Sequence, residues 1–307
     1  MKAAFFTKHG DPGELRYGEY PDPVLGAGQV MVDVHAASVN GADWRVVAGS
    51  YGPVAFFPYS PGRDFSGVVS ALGAGVKDFR VGDEVFGVCD VGTEAAYAEK
   101  VAIKESIIAK KPAGLTHVES AAVALIGLTA LISVEDTLEL KAGETLLVQG
   151  GAGGVASFAI QIAKHIGARV VTTASAANHD YLRRLGADQI VDYNKDDFTK
   201  VVSGVDAVFD TVGGDVATRS YLVLKPGGRA AFIASGANAP DTPRTDVKRL
   251  RPKVGRDRAH LDRVSALIAS GAVKLPEIRV FALADAAKAN EISKGRHFRG
   301  KLVLKVR

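Results

Sequence analysis

Cysteine is almost missing from this chain: Cys89 stands alone among 307 residues. An internal disulfide is thereby excluded, and so is any metal site built on several thiolates. Tryptophan is as scarce, with Trp44 alone, and methionine occurs twice. Long apolar runs are also lacking. The uncharged stretch 120–134 falls short of the ~18 residues that a membrane span requires. A longer one, 145–163, is broken in its middle by Gly150, Gly151, Gly153 and Gly154, which reads as strand, turn and helix. Near Met1 only Ala3-Ala4-Phe5-Phe6 separates Lys2 from Lys8, against the ~7–15 apolar residues of a signal-peptide core. A cytoplasmic location without a membrane partner is the expectation. Neither sign of charge dominates, since 38 Lys and Arg face 34 Asp and Glu. The local exception is 244–263, with eight basic residues and three acidic ones. That run stays open between a solvated face, a phosphate-binding lid and a nucleic-acid patch. It has no interleaved aromatics, so a nucleic-acid partner is not expected.

What is present points to two domains of a globular α/β protein: 47% hydrophobic and 23% charged residues over a length about twice that of a typical domain. From residue 145 onward, short β-rich runs at 145–149, 169–173, 189–192, 206–209 and 229–233 alternate with helical or turn segments. The best helix is 155–166, with an apolar stripe of Val155, Phe158, Ala159, Ile162 and Ile166 closed by Gly167. A second, 180–185, ends at Gly186. This alternation predicts a doubly wound parallel sheet. The first ~115 residues instead show alternating runs at 30–34, 67–70 and 84–88 among Gly- and Pro-rich turns, the pattern of an antiparallel β-barrel-like domain. Strand-like runs at 279–283 and 301–306 predict that the chain returns to that first domain. The expected division is 1–118 plus 270–307 for the catalytic domain and 119–269 for the nucleotide domain.

The sharpest motif is Gly150-Gly151-Ala152-Gly153-Gly154-Val155-Ala156 between the first of those strands and the best helix. It contains G-x-G-x-x-A as Gly151, Gly153 and Ala156. The first glycine permits the tight turn, the second lets backbone N–H groups reach a pyrophosphate, and Ala156 keeps helix and strand close. The helix N-terminus adds positive charge where a diphosphate sits. An NAD-selective site places an acid at the end of the second strand, whereas this chain has Ala174-Ser175 there and its first acid at Asp180. That favours NADPH over NADH, with Ser175 and Asn178 as donors, although no Arg or Lys lies between Val170 and Arg183.

Gly143-Glu144, Leu147 and the 151–156 segment, with Gln161 and Lys164, resemble the quinone oxidoreductase/zeta-crystallin signature of the zinc-free medium-chain dehydrogenase/reductase superfamily. Ala156 departs from the glycine usual there. The likeness continues through Ala37-Ser38-Val39-Asn40 with Asp43-Trp44-Arg45, through Pro61-Gly62-Arg63-Asp64-Phe65-Ser66-Gly67 and Val81-Gly82-Asp83-Glu84-Val85, and into Arg299-Gly300-Lys301-Leu302-Val303-Leu304. The resemblance implies a GroES-like β-barrel catalytic domain with an inserted Rossmann domain, and NADPH-dependent reduction of quinones or α,β-unsaturated carbonyls. It also implies a homodimer. Beyond the glycine loop and Val155 it adds Thr129, Tyr193 and Lys301 to the cofactor-binding residues. Arg183, or an arginine of the 244–263 run, would have to supply the missing cation.

Zinc-dependent relatives carry Cys and a His-Glu pair where this chain has Asn40 and Arg63-Asp64, so no metal ligands are expected. A quinone or enone is activated by its own conjugation, and a few hydrogen-bond donors suffice to hold its oxygen. The candidates are Tyr51, Asn40 and Arg45, in one loop that matches the family's active-site segment. Tyr51 either donates to the carbonyl oxygen or packs the loop. Arg45 either steers an anionic substrate or pairs with Asp43, and Asn40 is both turn-former and substrate neighbour. Phe56, Phe57 and Tyr59 either line a pocket or pack the barrel. His35, His179 and His260 lack metal-ligand spacing, and Cys89 reads as a small buried hydrophobe. Two alternatives stand beside the quinone and enone reading. One is an enoyl-thioester reductase using Tyr51; the other is a non-catalytic, crystallin-like NADPH-binding protein associated with RNA.

Overall fold

A computed structural model describes residues 1–234, 239–296 and 298–307. The chain forms two compact units: Met1–Leu125, Arg256–Ala269 and Leu275–Arg307 make the first, Ile126–Gly255 and Ser270–Lys274 the second.

In the first unit the alternation of Val30, Val32 and Val34 does what a period of two requires, turning those side chains to one buried face. The strand is longer than the run predicts. It covers Gln29–Val39 and bends at two register shifts along its pairing with Asp64–Leu72. The bend lets a single strand serve two partners on its other edge, Lys100–Lys104 along its first half and Lys301–Lys305 along its second. Outward from Asp64–Leu72 follow Glu84–Val88 and Ile108–Lys110. The sheet is antiparallel except where Ile278–Ala282 lies parallel to Lys301–Lys305. The helix Ala286–Gly295 between them supplies the long crossover that parallel pairing needs. Phe6, Tyr59, Phe65, Tyr97 and Leu304 fill the core.

The second unit holds a six-stranded sheet, parallel throughout. Its spatial order is Gln189–Asp192, Arg169–Ala174, Thr145–Gln149, Val205–Asp210, Leu224–Phe232 and Lys248–Leu250. Numbered along the chain, that order is 3-2-1-4-5-6, the doubly wound arrangement of dinucleotide-binding sheets, which reverses direction between Thr145–Gln149 and Val205–Asp210. The helix Gly154–Ile166 follows the first strand and buries Phe158, Ala159 and Ile162, ending on Gly167 in the left-handed region at φ 93°.

One helix exceeds its sequence expectation. His117–Leu131 continues through a π-turn at Ile132–Thr137, so 21 residues are long and apolar enough to cross a membrane by length and composition. The continuation takes in Glu135 and Asp136, which bound the uncharged run in the sequence. Of its most apolar window 78% is buried inside the protein, as in a core helix.

Candidate active site

The nucleotide side is built on the turn after Gln149. Gly150 has φ 75°, a conformation that glycine tolerates and a side chain resists. A Cβ on Gly151 would lie 2.2 Å from Thr172 Oγ1, which is fixed by donating to the Val148 carbonyl at 2.7 Å. The turn is held from the neighbouring strand as well. Gly150 N–H donates to Thr173 Oγ1 and Gly151 N–H to the Thr173 carbonyl, both at 3.0 Å. Gly153 occupies the N-cap of Gly154–Ile166 and offers no capping side chain. The first N–H groups of that helix therefore point out of the turn without an intrahelical acceptor. A glycine turn whose one side chain is the Ala152 methyl, beside an uncapped helix start, fits a dinucleotide diphosphate. The next turn adjoins it. Thr211 Oγ1 donates to the Gln149 carbonyl at 2.7 Å, and the buried Asp210 carboxylate, pushed up by burial, accepts from Val212 and Gly213 N–H. Sequence reasoning had not singled out this second turn.

Past the second strand, Ser175 Oγ accepts from Asn178 Nδ2 at 3.1 Å and both residues are half-buried. Strand register pairs Asp192 with Ala174, so Tyr193, 56% exposed, emerges at the same sheet end as Ser175. Arg183 is ion-paired with Asp180 at 2.6 Å. Thr129 is buried within His117–Leu131. Three arginines of the basic run have acidic partners. Arg244 pairs with Asp246, Arg249 with Asp241 and Arg258 with Asp78.

In the first unit the catalytic candidates meet a buried polar cluster. Asn40 is held at both ends of its amide: Nδ2 donates to Asp64 Oδ1 and to the Ser38 carbonyl, while Oδ1 accepts from Lys301 Nζ at 2.8 Å. Lys301 also donates to the Val39 carbonyl at 2.9 Å, and burial holds its ammonium below the ordinary lysine value. Lys301 and Asn40 thus lock the closing strand onto the active-site loop. Asp43 accepts from Asn40 N–H at 2.9 Å and from the Tyr97 hydroxyl at 2.8 Å, and burial pushes its carboxyl up to about 6. The expected alternative of an Arg45–Asp43 ion pair is not formed among the described residues. Arg45 instead lies over the Trp44 ring at 5.1 Å, because Asp43 turns inward to Tyr97. The aromatic trio divides: Tyr59 is fully buried, Phe57 packs edge-on against Phe6 and His9, and Phe56 stays exposed.

Tyr51 is 47% exposed, and its ring lies over the Arg63 guanidinium at 4.5 Å. Arg63 Nη1 approaches the Tyr51 hydroxyl at 3.4 Å, and Nη2 is paired with Glu94 at 3.2 Å. Burial works against the Arg63 charge, but Asp43, Tyr51 and Glu94 around it more than offset that and hold it above the ordinary arginine value. The sequence had shown Arg63 only as the residue in the place of a zinc ligand. That substitution was the signal for its role. Cys89 is buried and pushed up to about 12 by burial, an inert thiol. Among the described residues no three His, Cys, Asp or Glu side chains gather as metal ligands would.

A β-sheet unit closed by the chain's last strand, joined to a 3-2-1-4-5-6 nucleotide sheet, defines the medium-chain dehydrogenase/reductase class. Comparison agrees: residues 26–113 match the alcohol dehydrogenase GroES-like domain, and 185–304 the zinc-binding dehydrogenase family. A solved quinone oxidoreductase from Coxiella burnetii is 36% identical at a TM-score of 0.94, covering 100% of this chain and 99% of that one. The Escherichia coli quinone oxidoreductase complexed with NADPH is 27% identical, with a TM-score of 0.91 and full coverage of both chains. A tomato 2-methylene-furan-3-one reductase is 34% identical over 253 residues, or 78% of this chain. The chain spans 64% of the length of the first curated relatives it matches. The chain belongs to the quinone oxidoreductase family.

Proposed function

We propose that this chain is an NADPH-dependent oxidoreductase that reduces quinones or α,β-unsaturated carbonyls. The observation that carries the reading is the presence in one chain of a diphosphate-ready glycine turn, in the second unit, and of an exposed phenol over a buried arginine, in the first. The relatives' names, a quinone oxidoreductase and a furanone reductase, support the acceptor class. Gly150–Val155 holds the diphosphate, while Ser175, Asn178 and Tyr193 take the adenosine end. Their neutral donors, with no acid at the strand end, support NADPH over NADH. When bound, the reduced nicotinamide supplies a hydride to the electrophilic carbon of the acceptor. The Tyr51 hydroxyl hydrogen-bonds the acceptor oxygen as negative charge develops there, then delivers the proton that completes a two-electron, two-proton reduction. Arg63 beneath the ring favours the phenolate left behind, which regains a proton from water. Asn40 and Lys301 act indirectly, by fixing the loop. The residues at the family's zinc-ligand positions, Asn40 and Arg63-Asp64, are not a zinc donor set, and the acceptor's conjugation supplies the activation instead.

Steady-state kinetics with a quinone, a short enone and an enoyl-CoA, each with both nucleotides, test the reading. Turnover of the first two with a lower KM for NADPH is the expected result, and Ser175→Asp should narrow that gap by repelling a 2′-phosphate. Turnover of the thioester alone would replace the proposal with an enoyl-thioester reductase.

A further inference from the structure

Glu94 is a buried carboxylate that the reduction itself does not use. Its side chain is 3% exposed, and its two oxygens have separate partners. Oε2 accepts from the Tyr59 hydroxyl and from Gly92 N–H, the latter at 2.8 Å. Oε1 faces Arg63 Nη2 at 3.2 Å. Tyr59 belongs to the core of the first unit, so the carboxylate is anchored there. Asp43 also favours the Arg63 charge, but from beyond ion-pair distance, and its hydrogen bonds come from Asn40 N–H and the Tyr97 hydroxyl. The same guanidinium carries the Tyr51 ring at 4.5 Å and places Nη1 3.4 Å from its hydroxyl. A lone cation sealed beside a reacting oxygen draws in any anion, because attraction between charges is weakly screened there. Paired with a carboxylate it becomes a dipole, whose field falls off faster with distance. The phenol oxygen, beside Nη1, still feels the guanidinium, whereas a charge elsewhere on the acceptor feels little of it.

We infer that Glu94 sets the charge specificity of the site: by cancelling Arg63 beneath Tyr51, it turns away acceptors that carry a carboxylate beside their conjugated carbonyl. The inference rests on the reductase reading and adds to it a specificity-determining residue that acts through Arg63. A carboxylate on the acceptor would have to shed its hydration to reach a guanidinium already neutralised. Glu94→Gln keeps the shape and an oxygen for Tyr59 and Gly92 while removing the charge, which unmasks the cation.

The test compares (E)-4-oxopent-2-enoic acid with its methyl ester at neutral pH, where the acid is ionised. It uses the full chain as wild type, Glu94→Gln, Glu94→Asp and the double variant Arg63→Gln with Glu94→Gln. The acid-to-ester ratio of kcat/KM should rise tenfold or more in Glu94→Gln, mainly through a lower KM for the acid. Glu94→Asp, which keeps the charge, should stay near the wild-type ratio, and the double variant should return to it. A purely structural Glu94 would weaken both substrates together, so an unchanged ratio in Glu94→Gln would overturn the inference. In parallel, fumarate without nucleotide should raise the melting temperature of Glu94→Gln and leave that of wild type unmoved. If Glu94→Gln does not fold, wild type decides alone: a preference for the acid, or stabilisation by fumarate, overturns the inference, and the absence of both upholds it. Failure of every form to reduce either acceptor, with fumarate still stabilising Glu94→Gln alone, would keep the role of Glu94 and overturn the reductase reading.

Discussion

Asp43, which opens the short helix Asp43–Val47, and Tyr51, four residues past its end, meet opposite environments. The phenol is half in solvent, and its ring rests on a cation without bearing core weight. Tyr51→Phe should therefore leave thermal stability nearly unchanged while lowering kcat for an enone by about 10²-fold, the low end for a positioned proton donor. A fall in melting temperature without a fall in kcat would assign the ring to packing. Asp43 is sealed in, and burial outweighs the pull of Arg63 to raise its carboxyl to about 6 from an ordinary 3.8. Between those two values the folded chain binds this proton and the unfolded chain does not. The contribution of Asp43 to stability is thus largest below pH 4 and is lost as pH rises through 6. Asn accepts the same two hydrogen bonds without ionising. Urea titrations of wild type and Asp43→Asn should show a stability difference that shifts in favour of the variant between pH 4 and 6, and a constant difference would refute the assignment. This polar cluster was the least legible part of the chain in sequence. Asn40, Asp43, Arg63, Glu94, Tyr97 and Lys301 are scattered over more than 250 positions, and only the fold brings them together.

At the scale of elements the sequence was far more readable. The strands at 145–149, 189–192 and 84–88 stand where their β-rich runs predict, because burial on both faces or alternation on one leaves a local signature. Others outgrew their runs. Leu224–Phe232 begins five residues before the β-rich stretch at 229–233, since Leu224 already pairs with Val205 and the register then jumps to Arg229 across an irregularity at 225–228, where Pro226-Gly227-Gly228 give no strand signal. The glycine turn was legible for a different reason: Gly150 sits at φ 75° and Gly151 has no room for a Cβ, so both positions demand glycine. Gly151→Ala should cost roughly 1–3 kcal/mol by overpacking against the Thr172 hydroxyl. Adding Thr172→Ala removes the obstructing atom, so the pair should be less destabilised than the sum of the single changes. Additive losses in a denaturant cycle would mean that the turn shifts as a whole.

For the molecule as a whole, the decisive strand is Lys301–Lys305. It lies between Gln29–Val39 and Ile278–Ala282, and its Leu302, Val303 and Leu304 are all buried. Removing 300–307 would leave Ile278–Ala282 without a partner and bare half an edge of the longest strand. Trp44, the chain's single tryptophan, belongs to this unit and reports on it alone. The shortened chain should show red-shifted Trp44 emission before any denaturant is added. A native spectrum would mean that the strand is dispensable. The return of the chain to its first unit was expected from the apolar run at 301–306, whereas the parallel pairing with Ile278–Ala282 was not, because a strand's direction leaves no mark on its own composition. The same arrangement bears on how the protein comes into being. A ribosome releases residues 126–255 with every strand of their sheet complete, while the older residues ahead of them still lack their last β-segment. The interrupting unit can therefore finish folding first, and the first unit matures only once residues 301–305 have emerged, exposed to chaperones and proteases until then.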